Sequence, residues 1–202
     1  MRKIKFFIDF DKEEKWLNKM AKAGYQLESK GFGYKFQQAK PEDTTIKIDY
    51  RQFKKKEDFI DYLTLFEDSG WKHIAGTKGS GTQYFIKAEG NSDEDIFSDK
   101  HSKAAKYKRL SEMYIQLTIC FIPVFAVLVS TDLIDINALY NPKLLYLTEG
   151  LWDRSGTDFW KAFLFETPFV IFRTIVWLFI PASILIYLYC SYKANKLYET
   201  NK

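Results

Sequence analysis

Few residues in this sequence have the types and the spacing that catalysis requires. Asp9 and Asp11 lie two residues apart, and Asp49 falls on a predicted neighbouring strand, so together they could supply a pair of carboxylates. Such a pair works as acid and base only when its surroundings separate the two pKa values. A helix cap and a surface charge explain the same residues more simply. We therefore predict no catalytic residue.

A metal site and a phosphate-binding loop have equally little support. The two histidines, His73 and His101, stand apart, and the two cysteines, Cys120 and Cys190, lie in apolar runs, so no zinc ligand set is evident. The run GTKGSG at residues 76–81 lacks the Gly-Lys-Ser/Thr ending of a phosphate loop and the strand-to-helix context, and it reads as a hairpin turn. We expect no metal, no cofactor and no enzymatic activity.

The elements that would position these residues form two similar units. Residues 10–16 (FDKEEKW) resemble residues 53–59 (FKKKEDF), and residues 23–25 (AGY) resemble residues 69–71 (SGW). Each unit reads as a strand, a helix and one or two further strands, because alternating apolar residues precede a helical periodicity. Two such units predict an α+β fold over residues 1–90: a ferredoxin-like, duplicated βαβ domain with helices on one face of an antiparallel sheet.

The first strand is predicted over residues 3–10 and the first helix after it. Asp11 as N-cap and Glu14 three residues later would form a capping box. The alternation places one set of apolar side chains on the buried face of the strand: Ile4, Phe6, Ile8 and Phe10.

The opposite face of the sheet is the candidate binding surface. It mixes aromatic and charged side chains, a combination that favours a protein partner, a small ligand or a second copy of the chain over contact with solvent alone. Its predicted members are Lys5, Phe7, Lys47, Asp49, Arg51, Phe53 and Phe85. The Arg/Lys-Gly-Phe/Tyr run of RNA-binding sheets is absent, so RNA is disfavoured.

Charge is balanced in the first half of the chain. Residues 1–98 hold 18 Lys and Arg against 17 Asp and Glu. A nucleic-acid-binding domain usually concentrates positive charge on one face, so we expect no nucleic-acid partner. The basic excess follows in residues 99–112, which hold five Lys and Arg against two Asp and Glu and lie within a predicted juxtamembrane linker over residues 91–112. Its predicted membrane-surface residues are Lys100, Lys103, Lys106, Lys108 and Arg109.

Two uncharged runs, residues 113–131 and 174–192, are each 19 residues long. At about 1.5 Å per residue, each matches a hydrocarbon core of about 30 Å. They predict a two-helix transmembrane hairpin with spans at 113–131 and 168–192. Basic residues precede the first span and follow the second. The positive-inside rule therefore predicts a bacterial cell membrane protein with both termini in the cytosol, including the tail 193–202.

The segment between the spans, residues 132–167, is predicted to be extracytoplasmic and amphipathic. Its many Trp, Tyr and Phe residues are typical of short helices at a membrane surface, and a ligand-sensing cap is the alternative. Arg173 is the one charge close to the apolar body of a span. We predict that it snorkels to the interface or pairs with Glu166.

Four stretches resemble the DUF2812 family of bacterial, mostly Firmicute, proteins. They are IKFFIDFDKEEKWLNKMAKAGYQLES, FGYKFQQAKPEDTTIKIDYR, FIDYLTLFEDSGWKHIAG and TQYFIKA, and the resemblance covers roughly residues 1–110. It implies a cytosolic domain joined to membrane spans and an association with PadR-type transcription regulators. No catalytic residues are established for the family, so the resemblance supplies none.

Two functions follow as hypotheses. The first is a membrane-anchored, non-enzymatic regulatory or sensing protein whose cytosolic sheet domain binds a protein partner, with a PadR-type regulator as one candidate. The alternative is an accessory or small oligomeric subunit of a membrane transport or efflux system. The first makes the sheet face decisive, whereas the second makes Arg173 and the prolines within the spans, Pro123 and Pro181, decisive.

Overall fold

The computed structural model describes residues 1–88, 90 and 94–202. They form two compact units: unit 1 comprises Met1–Met113 and Cys190–Lys202, and unit 2 comprises Tyr114–Tyr189. The sequence predicts a domain that ends at residue 90 and a linker over 91–112. In the structure, residues 100–113 belong to unit 1, whereas residues 91–93 of the predicted linker lie outside the described residues.

The first repeat is a β-α-β-β unit. It consists of strand β1 (Arg2–Lys3), helix α1 (Phe10–Lys22), strand β2 (Tyr25–Lys30) and strand β3 (Tyr34–Gln38). β3 lies between β1 and β2 and is antiparallel to both, so the strand order is β1-β3-β2. The first and second strands are therefore parallel to each other, with α1 as the crossover and the third strand inserted between them.

The second repeat has the same topology. It consists of strand β4 (Ile46–Tyr50), helix α2 (Lys56–Asp68), strand β5 (Trp71–Ala75) and strand β6 (Thr82–Lys87), with strand order β4-β6-β5. The predicted α+β class is confirmed. The hydrogen-bonded strands form two three-stranded antiparallel sheets rather than one continuous sheet, and the ferredoxin-like arrangement is not confirmed.

The N-terminal segment differs from the predicted long strand. β1 covers two residues, and the Asp9 side chain, rather than Asp11, caps α1 by accepting from the backbone N–H groups of Asp11 and Lys12. Ile4 and Phe6, which the alternation places in the core, are 70% and 73% exposed. The alternation fails here because the chain leaves the sheet after Lys3, so no strand pairing fixes which face the next side chains occupy.

The second sheet is covered on the side that carries Phe85. The α2 residue Tyr62 packs with Trp71 and Phe85 in a buried cluster. The ring centroid of Phe66 lies 4.3 Å from that of Phe85, and that of Phe53 lies 4.8 Å from that of Tyr62. Contacts between offset and edge-on rings add to the free energy gained by burying the apolar surface.

The last two helices contribute to both units. Helix α3 spans Lys100–Ser130, and helix α4 spans Gly156–Asn201. Within unit 1, Ser111 and Ser191 join the two helices, with hydroxyl oxygens 2.8 Å apart and each hydroxyl also bonded to the other residue's carbonyl. These reciprocal bonds satisfy two buried hydroxyls and fix the spacing of the helices.

Unit 2 carries the apolar runs. The helices α3 and α4 are both long and apolar enough to cross a membrane, and only 11% and 12% of their most apolar windows are buried. The core helix of a soluble protein would bury its apolar surface. The segment between them forms three short 3-10 helices, at Ile136–Leu139, Pro142–Leu145 and Leu151–Asp153. Its aromatic rings pack against the start of α4, with the centroids of Tyr146 and the α4 residue Phe163 5.3 Å apart.

Candidate functional site

The predicted binding face of the sheet is mostly covered. Asp49 and Phe85 are 2% and 0% exposed, because α2 packs over this side of the second sheet. Lys47 is largely buried, and Phe53 packs against Tyr62. The prediction that Asp49 and Phe85 belong to an exposed partner surface is therefore wrong, because both lie in the interior of unit 1.

The remaining predicted members lie nearer to solvent and in two separate places. Lys5 is exposed, and its Nζ lies 5.2 Å from the ring centroid of the half-buried Phe7 and 5.0 Å from that of Trp16. Arg51 is exposed beyond the end of β4, with its guanidinium carbon 5.8 Å from the Tyr62 ring centroid. The structure does not gather the seven residues into one surface.

The outer edge of β4 is covered by side chains of α1. The backbone N–H of Ile46 donates to Asn18 Oδ1 at 2.8 Å, and that of Ile48 donates to Glu14 Oε1 at 3.0 Å. These are the N–H groups that point away from β6, and an uncovered edge would leave them free to pair with another chain. Two side chains of one helix thus replace a missing strand.

The carbonyl groups on the same edge are bound by α3. Lys106 Nζ donates to the Ile48 carbonyl at 3.3 Å, and Arg109 Nε donates to the Tyr50 carbonyl at 2.5 Å. The start of α3 therefore completes the sheet edge that α1 begins to cover. A segment predicted to be a juxtamembrane linker is instead a structural part of unit 1.

Lys106 lies at the centre of this contact. Its side chain is 1% exposed, and its Nζ lies 3.1 Å from Glu14 Oε1 and 3.6 Å from Asp11 Oδ1. The ammonium group also lies 5.6 Å from the ring centroid of Phe10. A buried lysine costs too much desolvation free energy unless carboxylates compensate its charge, and here two do so.

A second group of charges extends the contact. Lys103 Nζ lies 2.7 Å from Asp95 Oδ2, and Lys47 Nζ bridges Asp95 at 3.5 Å and Glu14 at 3.6 Å. Burial opposes ionisation of Asp95, but the hydrogen bond from Lys103 and the positive charge of Lys47 outweigh it, so the pKa of this carboxyl lies below its usual value. We call these residues the docking cluster: Asp11, Glu14, Lys47, Asp95, Lys103 and Lys106.

Arg109 makes a separate ion pair with the buried Asp49. Its Nη2 lies 2.6 Å from Asp49 Oδ1, and the hydroxyl of Tyr62 donates to Asp49 Oδ2 at 2.9 Å. The Asp49 carboxylate of β4 therefore connects α3 to α2. The pKa of the Tyr62 hydroxyl is raised, first by burial and then by the Asp49 charge, so it remains a donor.

The predicted membrane-surface set divides into two groups. Lys103, Lys106 and Arg109 bind carboxylates of unit 1, and the buried Lys106 has no surface to offer a lipid, which corrects the prediction for that residue. Lys100 and Lys108 are exposed, and for them the prediction stands untested. The bonded residues are spaced three apart along α3, so they share one face of the helix.

A buried carboxylate also joins the two repeats. Glu13 of α1 is 3% exposed, and its Oε1 accepts from the Tyr34 hydroxyl of β3 at 2.7 Å and from the Tyr84 hydroxyl of β6 at 2.6 Å. Burial raises the pKa of Glu13, although both tyrosine hydrogen bonds oppose the shift. One carboxylate thus links the central strands of both sheets.

An exposed apolar patch lies at the N-terminal edge of the first sheet. Phe32, in the turn between β2 and β3, is 92% exposed, and Ile4 and Phe6 are nearly as open. A β-carbon added to Gly33 would lie 3.3 Å from Ile4 Cγ1, so Ile4 lies beside the turn that carries Phe32. We call Ile4, Lys5, Phe6 and Phe32 the N-terminal patch. Exposed apolar side chains mark interaction surfaces where they adjoin one another, as Ile4 and the turn of Phe32 do.

In unit 2, Arg173 and Glu166 do not pair with each other among the described residues. Arg173 Nη1 donates to the Leu145 carbonyl at 2.6 Å. Glu166 accepts from the backbone N–H groups of Leu147 and of Thr148, the latter at 3.1 Å. Both charged side chains therefore hold the same turn in place, and the predicted ion pair is replaced by bonds to the backbone.

The part of the chain that the structure describes contains no cluster of three or more His, Cys, Asp or Glu side chains that could hold a metal ion. His73 Nε2 lies 3.1 Å from Gln83 Oε1, and its ring packs against Phe85. Burial lowers the pKa of His73, so the neutral form is favoured.

Sequence reasoning missed the docking cluster. The one available signal was the three-residue spacing of Lys103, Lys106 and Arg109, because a plain membrane flank needs no such periodicity. Sequence reasoning also predicted that Ile4 and Phe6 are buried, whereas both are exposed. Gly31 and Gly33 on either side of Phe32 are a signal for a turn, and a turn favours exposure of the residue between them.

Comparison with known protein families gives a match. A family model described as "Protein of unknown function (DUF2812)" matches residues 9–119. The matched range includes both repeats except β1, and it extends along α3 beyond the docking cluster. Neither the curated proteins nor the solved structures contain a match to this chain.

Proposed function

This chain belongs to the DUF2812 family, and we propose that it is a membrane-anchored, non-enzymatic regulatory or sensing protein whose unit 1 binds a protein partner. One observation carries this proposal: the helix that holds the edge of β4 through Lys106 and Arg109 also contains the first apolar run. A helix that only anchors a domain does not need to complete its sheet. The family match supports this, since it includes the same part of α3.

The membrane anchor is proposed as a two-span hairpin in the bacterial cell membrane. The low burial of both apolar windows favours this over a soluble helical domain. We propose that both termini are cytosolic, because Lys100 and Lys108 remain exposed before the first run and Lys193, Lys196 and Lys202 follow the second.

The partner is proposed to bind the N-terminal patch. Its three exposed apolar side chains and the neighbouring Lys5 provide the aromatic and basic groups that are typical of a protein interface. Arg51 is, besides Lys5, the other fully exposed member of the predicted binding face. A PadR-type transcription regulator is the partner class that we would test first, since the family resemblance suggests it.

The decisive experiment is affinity capture with the detergent-solubilised full-length chain as bait and a PadR-type regulator from the same genome as prey. We expect the wild-type chain to retain the regulator. A Phe6→Ser/Phe32→Ser variant should bind it at least about tenfold more weakly, since truncating a central aromatic contact costs about 2 kcal/mol or more. The proposed partner surface fails if the variant captures as much regulator as the wild type.

The matched control is Leu65→Ser. Leu65 is 63% exposed on α2 and therefore carries a similar apolar exposure away from the N-terminal patch. It should leave capture unchanged. Extraction of cell membranes with alkaline carbonate tests the anchor separately: an integral hairpin stays in the pellet, whereas release of the chain into the supernatant refutes the membrane location.

A further inference from the structure

Unit 2 contains an apolar cavity that holds a single charge. Its volume is about 760 Å³, and its walls come from the end of α3, the turn that follows and the first half of α4. Leu128, Ile134, Phe172 and Trp177 are typical of the lining, and Arg173 is the one charged residue among the described residues that form it. A cavity with this composition suits a long apolar group that ends in an anion.

A second, more polar cavity of about 570 Å³ adjoins the first. The two share Leu133, Arg173 and Trp177, and the second also has Asp132 and Asp135 in its wall. Arg173 therefore lies where an apolar space meets a polar one. Its one hydrogen bond among the described residues, to the Leu145 carbonyl, uses Nη1, and a guanidinium has five N–H donors in all.

We propose that these two cavities bind one glycerophospholipid whose head group carries both a phosphate and an ammonium group. An acyl chain occupies the apolar cavity, the phosphate binds the Arg173 guanidinium, and the ammonium faces Asp132 and Asp135. Arginine suits a phosphate because its fork of donors matches two phosphate oxygens. The two carboxylates disfavour a head group whose net charge is negative.

The inference depends on the membrane location proposed above. It goes further in assigning a specific lipid ligand, which a hairpin that only anchors the chain would not need. Carbonate extraction reports insertion whatever lipid the chain prefers. A failure of the lipid assignment is therefore distinguishable from a failure of the anchor.

The test is native mass spectrometry of the full-length chain in detergent, titrated with phosphatidylethanolamine, phosphatidylglycerol or diacylglycerol of the same acyl composition. We expect phosphatidylethanolamine to bind most tightly and diacylglycerol, which lacks the phosphate, to bind at least about tenfold more weakly. Glycerophosphoethanolamine, which has the head group without acyl chains, should not compete. Equal binding of the three lipids, or competition by the free head group, overturns the proposal.

Three variants divide the site. Arg173→Gln should weaken phosphatidylethanolamine binding about tenfold, whereas Asp132→Asn, which leaves Asp135 in place, should reduce the preference over phosphatidylglycerol and leave overall binding intact. Asp132 has φ 55°, a conformation that asparagine also tolerates, so this variant keeps the turn. Leu128→Trp fills the apolar cavity and should abolish binding while Arg173 stays in place. Unchanged binding in Arg173→Gln and in Leu128→Trp refutes the site.

Arg154→Gln is the matched control. Arg154 also lies in unit 2, but it lines neither cavity. Its replacement removes one positive charge and should change no lipid affinity. If it weakens binding as much as Arg173→Gln does, lipid association depends on net charge, and the proposal is wrong.

Discussion

Lys106 and Glu14 form a buried ion pair across 92 residues of sequence, with Nζ 3.1 Å from Oε1. Glu14 Oε1 also accepts the backbone N–H of Ile48, and Lys106 also donates to the carbonyl of the same residue. The pair thus binds both backbone polar groups of Ile48. The same two side chains therefore form the ion pair and satisfy the edge of β4.

Replacing Lys106 by methionine should destabilise unit 1 strongly. The variant leaves the Glu14 carboxylate buried without its closest cation, and breaking a buried pair in this way costs about 3–5 kcal/mol. Chemical denaturation of the purified chain, followed by the fluorescence of its tryptophans, measures the change. Lys108→Met is the matched control, because Lys108 is exposed on the same helix, and it should fall within about 0.5 kcal/mol of wild type.

The double variant Lys106→Met/Glu14→Gln should recover part of that loss. Glutamine keeps an oxygen for the Ile48 N–H but removes the buried charge. A double variant as unstable as Lys106→Met alone would show that packing, and not the uncompensated carboxylate, causes the loss.

Glu13 should make unit 1 less stable as the pH rises. Its pKa in the folded protein is above the ordinary value of 4.5, so the unfolded chain releases its proton first as the pH increases. The stability due to this group is fully present below the unfolded pKa and is lost as the pH rises through the folded pKa. Glu13→Gln keeps an acceptor for both tyrosine hydroxyls and removes the titration.

The measurement is the difference in unfolding free energy between Glu13→Gln and wild type from pH 4 to pH 8. We expect this difference to rise with pH in favour of the variant and then to level off. Using the difference cancels other carboxylates such as Asp95, whose lowered pKa acts in the opposite direction. A flat difference would show that Glu13 titrates alike in both states.

Gly81→Ala should destabilise the hairpin between β5 and β6. Gly81 has φ +77°, and an added β-carbon would lie 2.6 Å from the ring of the buried Tyr50. We expect a loss of about 1–3 kcal/mol in unfolding free energy, from the backbone conformation and the clash together. Gly79→Ala is the control, since nothing lies within 4 Å of its added β-carbon. Equal losses would contradict the assigned turn.

A disulfide should form between Ser111→Cys and Ser191→Cys in a background where Cys120 and Cys190 are serine. The two serine hydroxyl oxygens, whose places the cysteine sulfurs would take, are 2.8 Å apart, so a small shift brings the sulfurs to the about 2.0 Å of a disulfide bond. Mild oxidation should yield an intramolecular crosslink that survives proteolytic cleavage between α3 and α4. The pair Lys108→Cys and Ser191→Cys tests specificity, because Lys108 points to solvent. Crosslinking with equal yield would show that the helices do not keep this register.

The sequence predicts the elements well and their environment less well. Both repeats have the predicted order, and the glycines after α1 and α2, Gly24 and Gly70, have the positive φ of helix stops. Short-range periodicity was sufficient for these features. It could not show that α2 covers Phe85, because alternation identifies two faces of a strand and cannot tell whether one or both are covered.

The ion pairs of the docking cluster could not be predicted from local sequence patterns either. Lys106 and Glu14 are far apart in sequence, and a basic helix before an apolar run fits a lipid surface as well as an acidic protein surface. The choice depends on burial, which sequence alone does not give. Asp49 illustrates the converse: a charged residue in an alternating strand is expected outside, but Arg109 and Tyr62 compensate it inside.

The covered edge of β4 has a consequence for the order in which this protein is made. The N–H groups of Ile46 and Ile48 can find their partners as soon as β4 emerges, because α1 precedes it in the chain, but the carbonyls of Ile48 and Tyr50 must wait for residues near Arg109 to leave the ribosome. Until then the nascent chain has half an open strand edge, a site for chaperone binding or for aggregation. A fragment that ends at residue 98 would keep that defect permanently.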